Sequence, residues 1–216
     1  MVRKIRVALP VRYKDDTLVE AGVDEAGRGC FWGALVAGAV IWPKEDTWTD
    51  EHREISPFIQ DSKTITENMR IKVANAIPKL AIASATGEVS SQEIDENGMI
   101  WANHTAFSRA ISNLSQTPQR LLIDGTLSIP FCEAEEQETI VEGDGAYLPI
   151  AAASVLAKYT RDEAVKTWCK DNDIVAGLYG LQTNKGYGTL KHRQAIQEHG
   201  LLADHRRLFM KKGLKV

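Results

Sequence analysis

The chain has 216 residues, of which 44% are hydrophobic and 25% are charged, and its formal net charge is −3. This composition is typical of a folded protein with a substantial core and excludes a disordered or fibrous chain. The sequence contains no run of about 18 apolar residues, so we predict no transmembrane helix. The basic N-terminus has too short an apolar stretch for a signal peptide, and we therefore expect a cytoplasmic protein without membrane contact.

The first half of the chain predicts two strands, a helix and a third strand. Residues 18–27 form an apolar run that ends in glycine, and residues 33–43 form a second strand closed by a proline. The polar stretch that follows is predicted to be a loop as far as Thr66, which is the N-cap of a helix running to residue 80. Small and apolar residues then alternate over residues 80–90, which indicates a third strand.

The second half predicts one long helix, two strands and a helical end. Residues 91–114 have helical spacing. Residues 119–125 and 136–144 are predicted strands that each end at an aspartate, and residues 148–172 are predicted to form a long helix with small side chains that allow close packing. Two short helices around Gly200 complete the chain. The buried positions of the first long helix are predicted to be Ile100, Ala106, Ala110 and Leu114.

This order of elements predicts an α/β protein with a mixed sheet, and three of the predicted strands end in acidic side chains. Asp24 and Glu25 close the first strand, Asp124 the fourth and Asp144 the fifth. Strand ends are where an α/β sheet places its site. Adjacent residues on a strand point to opposite faces, so Asp24 and Glu25 share a site only if the chain turns there, and the glycines that follow permit this turn.

Four carboxylates in one place repel one another unless divalent cations supply the opposing charge. Two cations about 3.5–4 Å apart activate a water and stabilise the leaving oxygen of a phosphodiester, and oxygen ligands favour Mg²⁺ or Mn²⁺. The alternative is that each acid is an ordinary turn or helix-cap residue. Spacing alone leaves both interpretations open.

Basic charge is concentrated towards the end of the chain. Of the 26 basic and 29 acidic residues, eight basic and two acidic ones lie from residue 185 onward. This asymmetry favours a basic face for a polyanion on an otherwise acidic body. A solvated helical tail is the alternative interpretation.

Several blocks of the sequence, in order, resemble ribonuclease HII, the type 2 ribonuclease H family. The first is GVDEAGRG at residues 22–29, and the last is HRRLF at residues 205–209. The blocks between them are DSK at 61–63, EID at 93–95, LLIDG at 121–125, EGDGAYLPIAAASVLAKYTRD at 142–162 and KGYGTLKH at 185–192.

The resemblance implies a ribonuclease H-like α/β fold, in which helices flank a five-stranded mixed sheet and a helical C-terminal extension follows. It implies a catalytic domain over residues 1–180 and a helical segment over residues 181–216 that packs on this domain and contacts the duplex. It also implies a two-metal site for Mg²⁺ or Mn²⁺. The catalytic, metal-binding carboxylates would be Asp24, Glu25, Asp124 and Asp144.

The activity that the resemblance implies is metal-dependent hydrolysis of the RNA strand of RNA/DNA hybrids. It includes nicking on the 5′ side of a ribonucleotide embedded in duplex DNA, which leaves 3′-hydroxyl and 5′-phosphate ends and serves ribonucleotide and primer removal. The 2′-hydroxyl distinguishes RNA from DNA, and the resemblance assigns its recognition to a glycine loop. The implied substrate-binding residues are Gly27, Arg28 and Gly29 at the 2′-hydroxyl, Tyr187 at the sugar, and Lys63, Arg206 and Arg207 at phosphates.

The sequence departs from the family pattern just after the glycine loop. Cys30 and Ala34 stand where the family usually has proline, with the bulky Phe31 and Trp32 between them, and the stretch of residues 169–184 is long. We expect these departures to affect substrate preference and rate. We also expect a monomer without a sliding-clamp motif. Two other functions stay open, namely a nuclease of the same fold that acts on DNA and a non-catalytic duplex-binding protein.

Overall fold

The structure, a computed structural model, describes residues 7–130, 132 and 134–213. Its strands are β1 (Glu20–Ala26), β2 (Leu35–Ile41), β3 (Ala83–Val89), β4 (Arg120–Asp124) and β5 (Glu136–Ile140). They form one five-stranded sheet in the order β3-β2-β1-β4-β5. The pairs β1–β2 and β2–β3 are antiparallel, whereas β1–β4 and β4–β5 are parallel. The predicted α/β fold with a five-stranded mixed sheet is therefore confirmed.

Helices pack on both faces of this sheet and make up the C-terminal part. Thr66 is an N-cap as predicted, because its side chain accepts a hydrogen bond from the N–H of Met69. Within the described residues, no helix is long and apolar enough to cross a membrane. The helices are α1 (Asp50–Ile55), α2 (Glu67–Leu80), α3 (Ser91–Asn97), α4 (Met99–Ser112), α5 (Leu148–Asp171), α6 (Asp173–Tyr179), α7 (Leu181–Asn184), α8 (Leu190–His199) and α9 (Arg207–Gly213).

The register between β1 and β4 brings the acids of the first strand, Asp24 and Glu25, close to Asp124 of the fourth. β1 and β4 are parallel, and Val23 lies opposite Ile123. The next residues on the two strands, Asp24 and Asp124, therefore lie side by side at the same edge of the sheet, just beyond the last residues that pair β1 with β4. This edge is the carboxyl end of the parallel strands, where α/β folds bind their ligands.

Helix α5 lies close against the sheet because the contact surfaces are small on both sides. A Cβ atom on Gly22 of β1 would overlap the backbone of Pro149, and one on Gly38 of β2 would overlap the carbonyl oxygen of Ala153. Four alanines of this helix, Ala151, Ala152, Ala153 and Ala157, are fully buried. Glycine and alanine at these positions let the helix and sheet backbones approach closely. This contact holds α5 beneath the carboxyl end of β1.

The described residues form three buried apolar clusters. One lies between the sheet and α4, and a second lies between the sheet, α5 and α2. The third joins Phe31 and Trp32 to the C-terminal helices, with Val165, Leu181 and Ile196 among its members. The third cluster contains residues from both sides of position 180, and the division of the chain at this position stays a prediction.

Some boundaries differ from the sequence-based expectation. The stretch predicted as a loop before Thr66 contains α1 and two 3₁₀ turns, Glu45–Thr47 and Ser56–Phe58. The long helix predicted over residues 91–114 is broken into α3 and α4 at Gly98, whose φ of 84° is readily adopted only by glycine. The break turns Ile100 outward, so its predicted burial is wrong.

The last strand ends earlier than predicted. β5 stops at Ile140, and Asp144 lies in a 3₁₀ turn, Gly143–Gly145, that leads into α5. Glu142 before this turn has a positive φ of 55°. A strand continuing to Asp144 would place this carboxylate further along the sheet direction, whereas the turn brings it back towards Asp124.

Candidate active site

Asp24 and Glu25 end β1 with their carboxylates in a water-poor environment. Asp24 is buried, and its Oδ1 accepts a 2.6 Å hydrogen bond from the N–H of Glu25. Burial raises the pKa of Asp24 well above its usual value, and the neighbouring charges of Glu25 and Asp124 raise it further. Burial also raises the pKa of Glu25, although Arg28 opposes this effect. Both side chains are thus held where a negative charge is costly without a cation.

Asp124 and Asp144 join the same site from β4 and the 3₁₀ turn. Oδ1 of Asp124 accepts a 2.8 Å hydrogen bond from the N–H of Gly143, which ties the end of β4 to that turn. Burial raises the pKa of Asp144 to about 6, and the charges of Asp61 and Asp124 add to the effect. Nζ of Lys63 lies 3.9 Å from Oδ2 of Asp144. All four predicted carboxylates therefore meet at one edge of the sheet.

Two further polar side chains belong to this site and were not predicted as site residues. Asp61 repels Asp144 electrostatically, and its Oδ1 accepts a hydrogen bond from the N–H of Lys63. Asn103 lies on the buried face of α4 and interacts with Glu25, while its Oδ1 has no hydrogen-bond partner. Two features of the sequence could have revealed them: Asp61 is an acid two residues before Lys63, and Asn103 is an amide among the apolar positions of a helix.

The donor set of this site matches a hard divalent cation. Within the described ranges, no three Asp, Glu, His or Cys side chains are placed closely enough to hold an ion as they stand. The neighbouring acids nevertheless raise the pKa of Asp24 and of Asp144, and the acids supply only oxygen donors together with the unpartnered Oδ1 of Asn103. Oxygen donors with uncompensated negative charge suit Mg²⁺ or Mn²⁺. The residues present therefore fit such an ion.

The glycine loop and the predicted tyrosine lie next to each other. The chain turns at Gly27, whose φ is 90°. The N–H groups of Phe31 and Trp32 donate to the carbonyl oxygen of Gly186, and Cys30 forms a β-bridge with Tyr187. The Tyr187 side chain is half-exposed, with Nζ of Lys158 5.7 Å from its ring centroid. The structure thus brings Gly27–Gly29 and Tyr187 together beside the carboxylates.

The predicted basic contacts differ in how they are placed. The side chain of Lys63 is 82% exposed, and that of Arg28 is half-exposed with Nη1 3.7 Å from Oε1 of Glu25. Arg207 is exposed and begins α9, and its N–H donates to Oδ2 of Asp95. All three side chains are accessible to a substrate. The phosphate contacts predicted for Lys63 and Arg207, and the place of Arg28 at the 2′-hydroxyl, therefore stay predictions.

Arg206 and the aromatic departures face the interior. Arg206 is 0% exposed and donates to backbone carbonyl groups, so the predicted phosphate contact does not fit its position. Phe31 and Trp32 are also buried. Phe31 packs near Phe209, and Trp32 lies 4.7 Å from Trp168 between ring centroids. Phe31 and Trp32 therefore pack behind the Gly27–Gly29 loop and do not form part of its outer surface.

A buried histidine pair that the sequence spacing did not reveal supports Tyr187. The N–H of Leu202 donates to Nδ1 of His205, and the two histidines meet through their Nε2 atoms at 3.0 Å. Nδ1 of His192 meets the carbonyl oxygen of Tyr187 at 2.9 Å. Burial lowers the pKa of both imidazoles, to about 4 for His205. Both rings are therefore neutral near pH 7, and the chain of hydrogen bonds ends with His192 donating to Tyr187.

Comparison with known proteins agrees with this geometry. A protein-family model for ribonuclease HII matches residues 21–212. A ribonuclease HII of Bacteroides thetaiotaomicron is 44% identical over 201 residues, which cover 93% of each chain. The crystal structure of ribonuclease H2 from Pyrococcus horikoshii OT3 superposes with a TM-score of 0.70 at 26% identity, covering 88% of this chain and 92% of that one.

A more distant structure, Bst-RNase HIII in complex with Mn²⁺, has a TM-score of 0.56 at 18% identity, covering 85% of this chain and 63% of that one. At this identity it supports the fold alone. The family model and the close relative cover nearly the whole chain. The chain therefore belongs to the ribonuclease HII family of divalent-metal-dependent endonucleases, which hydrolyse RNA in RNA/DNA hybrids.

Proposed function

We propose that this protein nicks the 5′ side of single ribonucleotides embedded in duplex DNA, as well as cutting the RNA strand of longer hybrids, and leaves 3′-hydroxyl and 5′-phosphate ends. The observation that carries this proposal is the adjacency of two sites. Glu25, next to Asp24 in β1, is separated by a single residue, Ala26, from the Gly27–Gly29 loop, in which Arg28 and Gly29 are exposed. A group that tests for a 2′-hydroxyl would then lie beside the group that acts on the neighbouring phosphate.

Asp24, Glu25, Asp124 and Asp144 are proposed to hold two Mg²⁺ or Mn²⁺ ions. When bound, such ions lower the pKa of a water molecule and stabilise the leaving oxygen of the phosphodiester. The protein contributes the positions of the ligands. Asp24 is fixed by the N–H of Glu25, and Asp124 is fixed by the N–H of Gly143.

The substrate contacts are proposed to divide between recognition and positioning. The Gly27–Gly29 backbone is small enough to approach the 2′-hydroxyl, and the exposed Tyr187 ring packs on the sugar. Lys63 and Arg207 contact phosphates, which orients the duplex without reading its sequence. The C-terminal helices α8 and α9 are proposed to contact the duplex as well. The monomeric state, the cytoplasmic location and the lack of a clamp motif remain predictions, and residues 214–216 lie outside the described chain.

A duplex with one ribonucleotide in an otherwise all-DNA strand tests this proposal. With Mg²⁺ or Mn²⁺, we expect one cut immediately 5′ of that ribonucleotide, and the product should have a 3′-hydroxyl end that a polymerase extends. A matched all-DNA duplex should stay intact. Cutting of a long hybrid but not of this duplex would contradict the proposed single-ribonucleotide activity.

The same assay separates the alternatives. A DNA endonuclease of this fold would cut the all-DNA duplex and tolerate substitution of Gly29. A non-catalytic binding protein would bind the duplex in a salt-dependent way and cut nothing, whichever metal is present. The buried, mutually repelling carboxylates argue against a pure binding protein, because they would weaken its attraction for phosphate.

A further inference from the structure

Two arginines are completely buried behind the Gly27–Gly29 loop. Arg161 of α5 is 2% exposed, and Arg206, just before α9, is 0% exposed. Fully buried arginines are rare unless their charge and their donors are satisfied. Neither guanidinium takes part in an ion pair within 4.0 Å among the described residues. The hydrogen-bond acceptors of these two guanidinium groups must therefore be groups other than carboxylates.

Their partners are backbone carbonyl groups of two loops. Arg161 joins the loop after β1 to the loop that carries Tyr187, because it donates to both. Arg206 donates only to the loop after β1. The donor–acceptor distances are 3.0 Å to Trp32, 3.0 Å to Ala34 and 2.9 Å to Lys185 for Arg161, and 2.7 Å to Gly27, 3.1 Å to Arg28 and 2.9 Å to Gly33 for Arg206.

These contacts fix which way the loop faces. The carbonyl groups of Gly27 and Arg28 point inward to Arg206. On the outer side, Arg28 and Gly29 are exposed, and a Cβ atom added to Gly29 would meet nothing within 4 Å. The loop therefore has its acceptors occupied from beneath and an open outer surface above Gly29.

The fit between loop and arginines leaves little freedom. A Cβ atom on Gly27 would overlap Nε of Arg161, and one on Gly186 would lie 2.5 Å from the carbonyl oxygen of Trp32. Nη2 of Arg206 has no hydrogen-bond partner, and burial lowers the pKa of Arg206 to about 10. Among the residues that the structure describes, Arg161 and Arg206 are thus two buried cations without an ion-pair partner within 4.0 Å, and they lie directly beneath the surface that would meet a phosphodiester.

We propose that Arg161 and Arg206 are positioning residues that hold the Gly27–Gly29 loop against the Tyr187 loop and thereby set the preference for a 2′-hydroxyl. This inference rests on the proposed function. An arginine has a planar fork of donors, whereas a lysine has one flexible ammonium group. Lysine at position 206 would keep the charge but could not hold Gly27, Arg28 and Gly33 together.

The test uses Arg206→Lys and Arg161→Lys, with Arg120→Lys as the matched control. Arg120 is buried to the same degree, at 1% exposed, but it lies at the amino end of β4, whereas the candidate site lies at the carboxyl end, beside Asp124. Binding is measured by fluorescence anisotropy in EDTA, so that no cutting occurs, with one duplex that contains a single ribonucleotide and one all-DNA duplex. For the Arg206 and Arg161 variants, we expect the ratio of the two dissociation constants to fall about tenfold, as for loss of about one hydrogen bond.

Amide hydrogen exchange gives a second readout that needs no substrate. Arg206→Lys and Arg161→Lys should speed exchange in residues 27–34 and 185–187, whereas Arg120→Lys should not. An unchanged binding ratio in both loop variants, or equal changes in the Arg120 variant, would overturn the inference.

The wild-type protein separates this inference from the proposed function. If it fails to nick the single-ribonucleotide duplex with Mg²⁺ or Mn²⁺, the proposed function fails. The exchange experiment then still decides whether the arginines hold the loops. If the wild type nicks and the lysine variants keep full discrimination, only the positioning role is lost.

Discussion

Acidic residues gather near both ends of the neighbouring strands β1 and β4, but their negative charge is compensated at one end and not at the other. At the amino ends, the buried Arg120 donates to the carboxylates of Asp16, Glu20 and Glu136. These contacts with Arg120 lower the pKa of Asp16 to about 2 and also lower the pKa of Glu136. This end is an ion-pair network that stabilises the charged forms of Asp16 and Glu136.

At the carboxyl ends, acids gather without an equivalent cation. Burial raises the pKa of Asp24 and Asp144, and neighbouring carboxylates raise both further. The basic side chain next to Asp144 is Lys63, which is largely exposed and 3.9 Å away. The comparison teaches that acid content alone does not mark a site. Acids whose charge the protein leaves uncompensated are the ones available to bind a metal.

The largest effect is expected on catalysis, when one of the uncompensated acids at the carboxyl ends is replaced. Asp124→Asn keeps an oxygen that can accept the hydrogen bond of Gly143 but removes one negative charge from the site. We expect the rate of cutting to fall by roughly 10²–10³-fold, as for loss of a major electrostatic contribution. The single-ribonucleotide duplex assay with Mg²⁺ measures this. Asp16→Asn removes the same charge at the other end and should cut normally; an active Asp124→Asn variant would remove Asp124 from the mechanism.

The second prediction concerns the ion-pair network. Arg120→Met removes one of the two arginines, Arg12 and Arg120, that pair with the buried Glu20, so it should lower the free energy of unfolding by about 3 kcal/mol, at the low end for a broken buried ion pair. Urea denaturation measures this loss. The rate of cutting, measured well below the unfolding transition, should stay within about twofold of wild type because Arg120 lies far from the carboxylates. Unchanged stability would show that the network contributes little.

The third prediction concerns a substitution that should stabilise the protein, whereas the second should destabilise it. Asp144→Asn removes a charge that is repelled by Asp61 and Asp124, so it should raise the melting temperature in EDTA by about 2–4 °C. Glu20→Gln, a comparable change in the ion-pair network, should lower it. Differential scanning calorimetry of both variants gives the comparison. If both changes destabilise the protein, the two ends do not differ in charge compensation.

The smallest expected effect is on acid stability. The pKa of Asp16 is about 2 in the folded protein, below its ordinary value of 3.8. A lowered folded pKa gives stability that is present above the unfolded value and is lost as pH falls towards the folded value. The urea midpoint of the wild type should therefore fall between pH 4 and pH 2 more steeply than that of Asp16→Asn. Parallel curves for the two proteins would exclude Asp16 as a contributor.

Local patterns in the sequence were enough to predict much of this protein. The apolar runs of β1 and β2, the N-cap Thr66 and the small residues of α5 depend on neighbours along the chain, so they can be read without the fold. The acids at the ends of β1 and β4 followed from the same reasoning. Their meeting depends on the parallel register of these strands, which the structure supplies.

The tertiary structure alone decided which polar groups are buried together. Arg206 and Lys63 are both basic residues in recognisable sequence blocks, yet the first is enclosed behind the glycine loop and the second is exposed. The His192–His205 contact and the place of Asn103 beside Glu25 likewise join elements distant in sequence. Periodicity reports how a residue relates to its own helix or strand, whereas burial of a charged side chain depends on what other elements pack against it. The sequence by itself thus determined the chemistry available to this protein, and its packing determined which of those groups face a substrate.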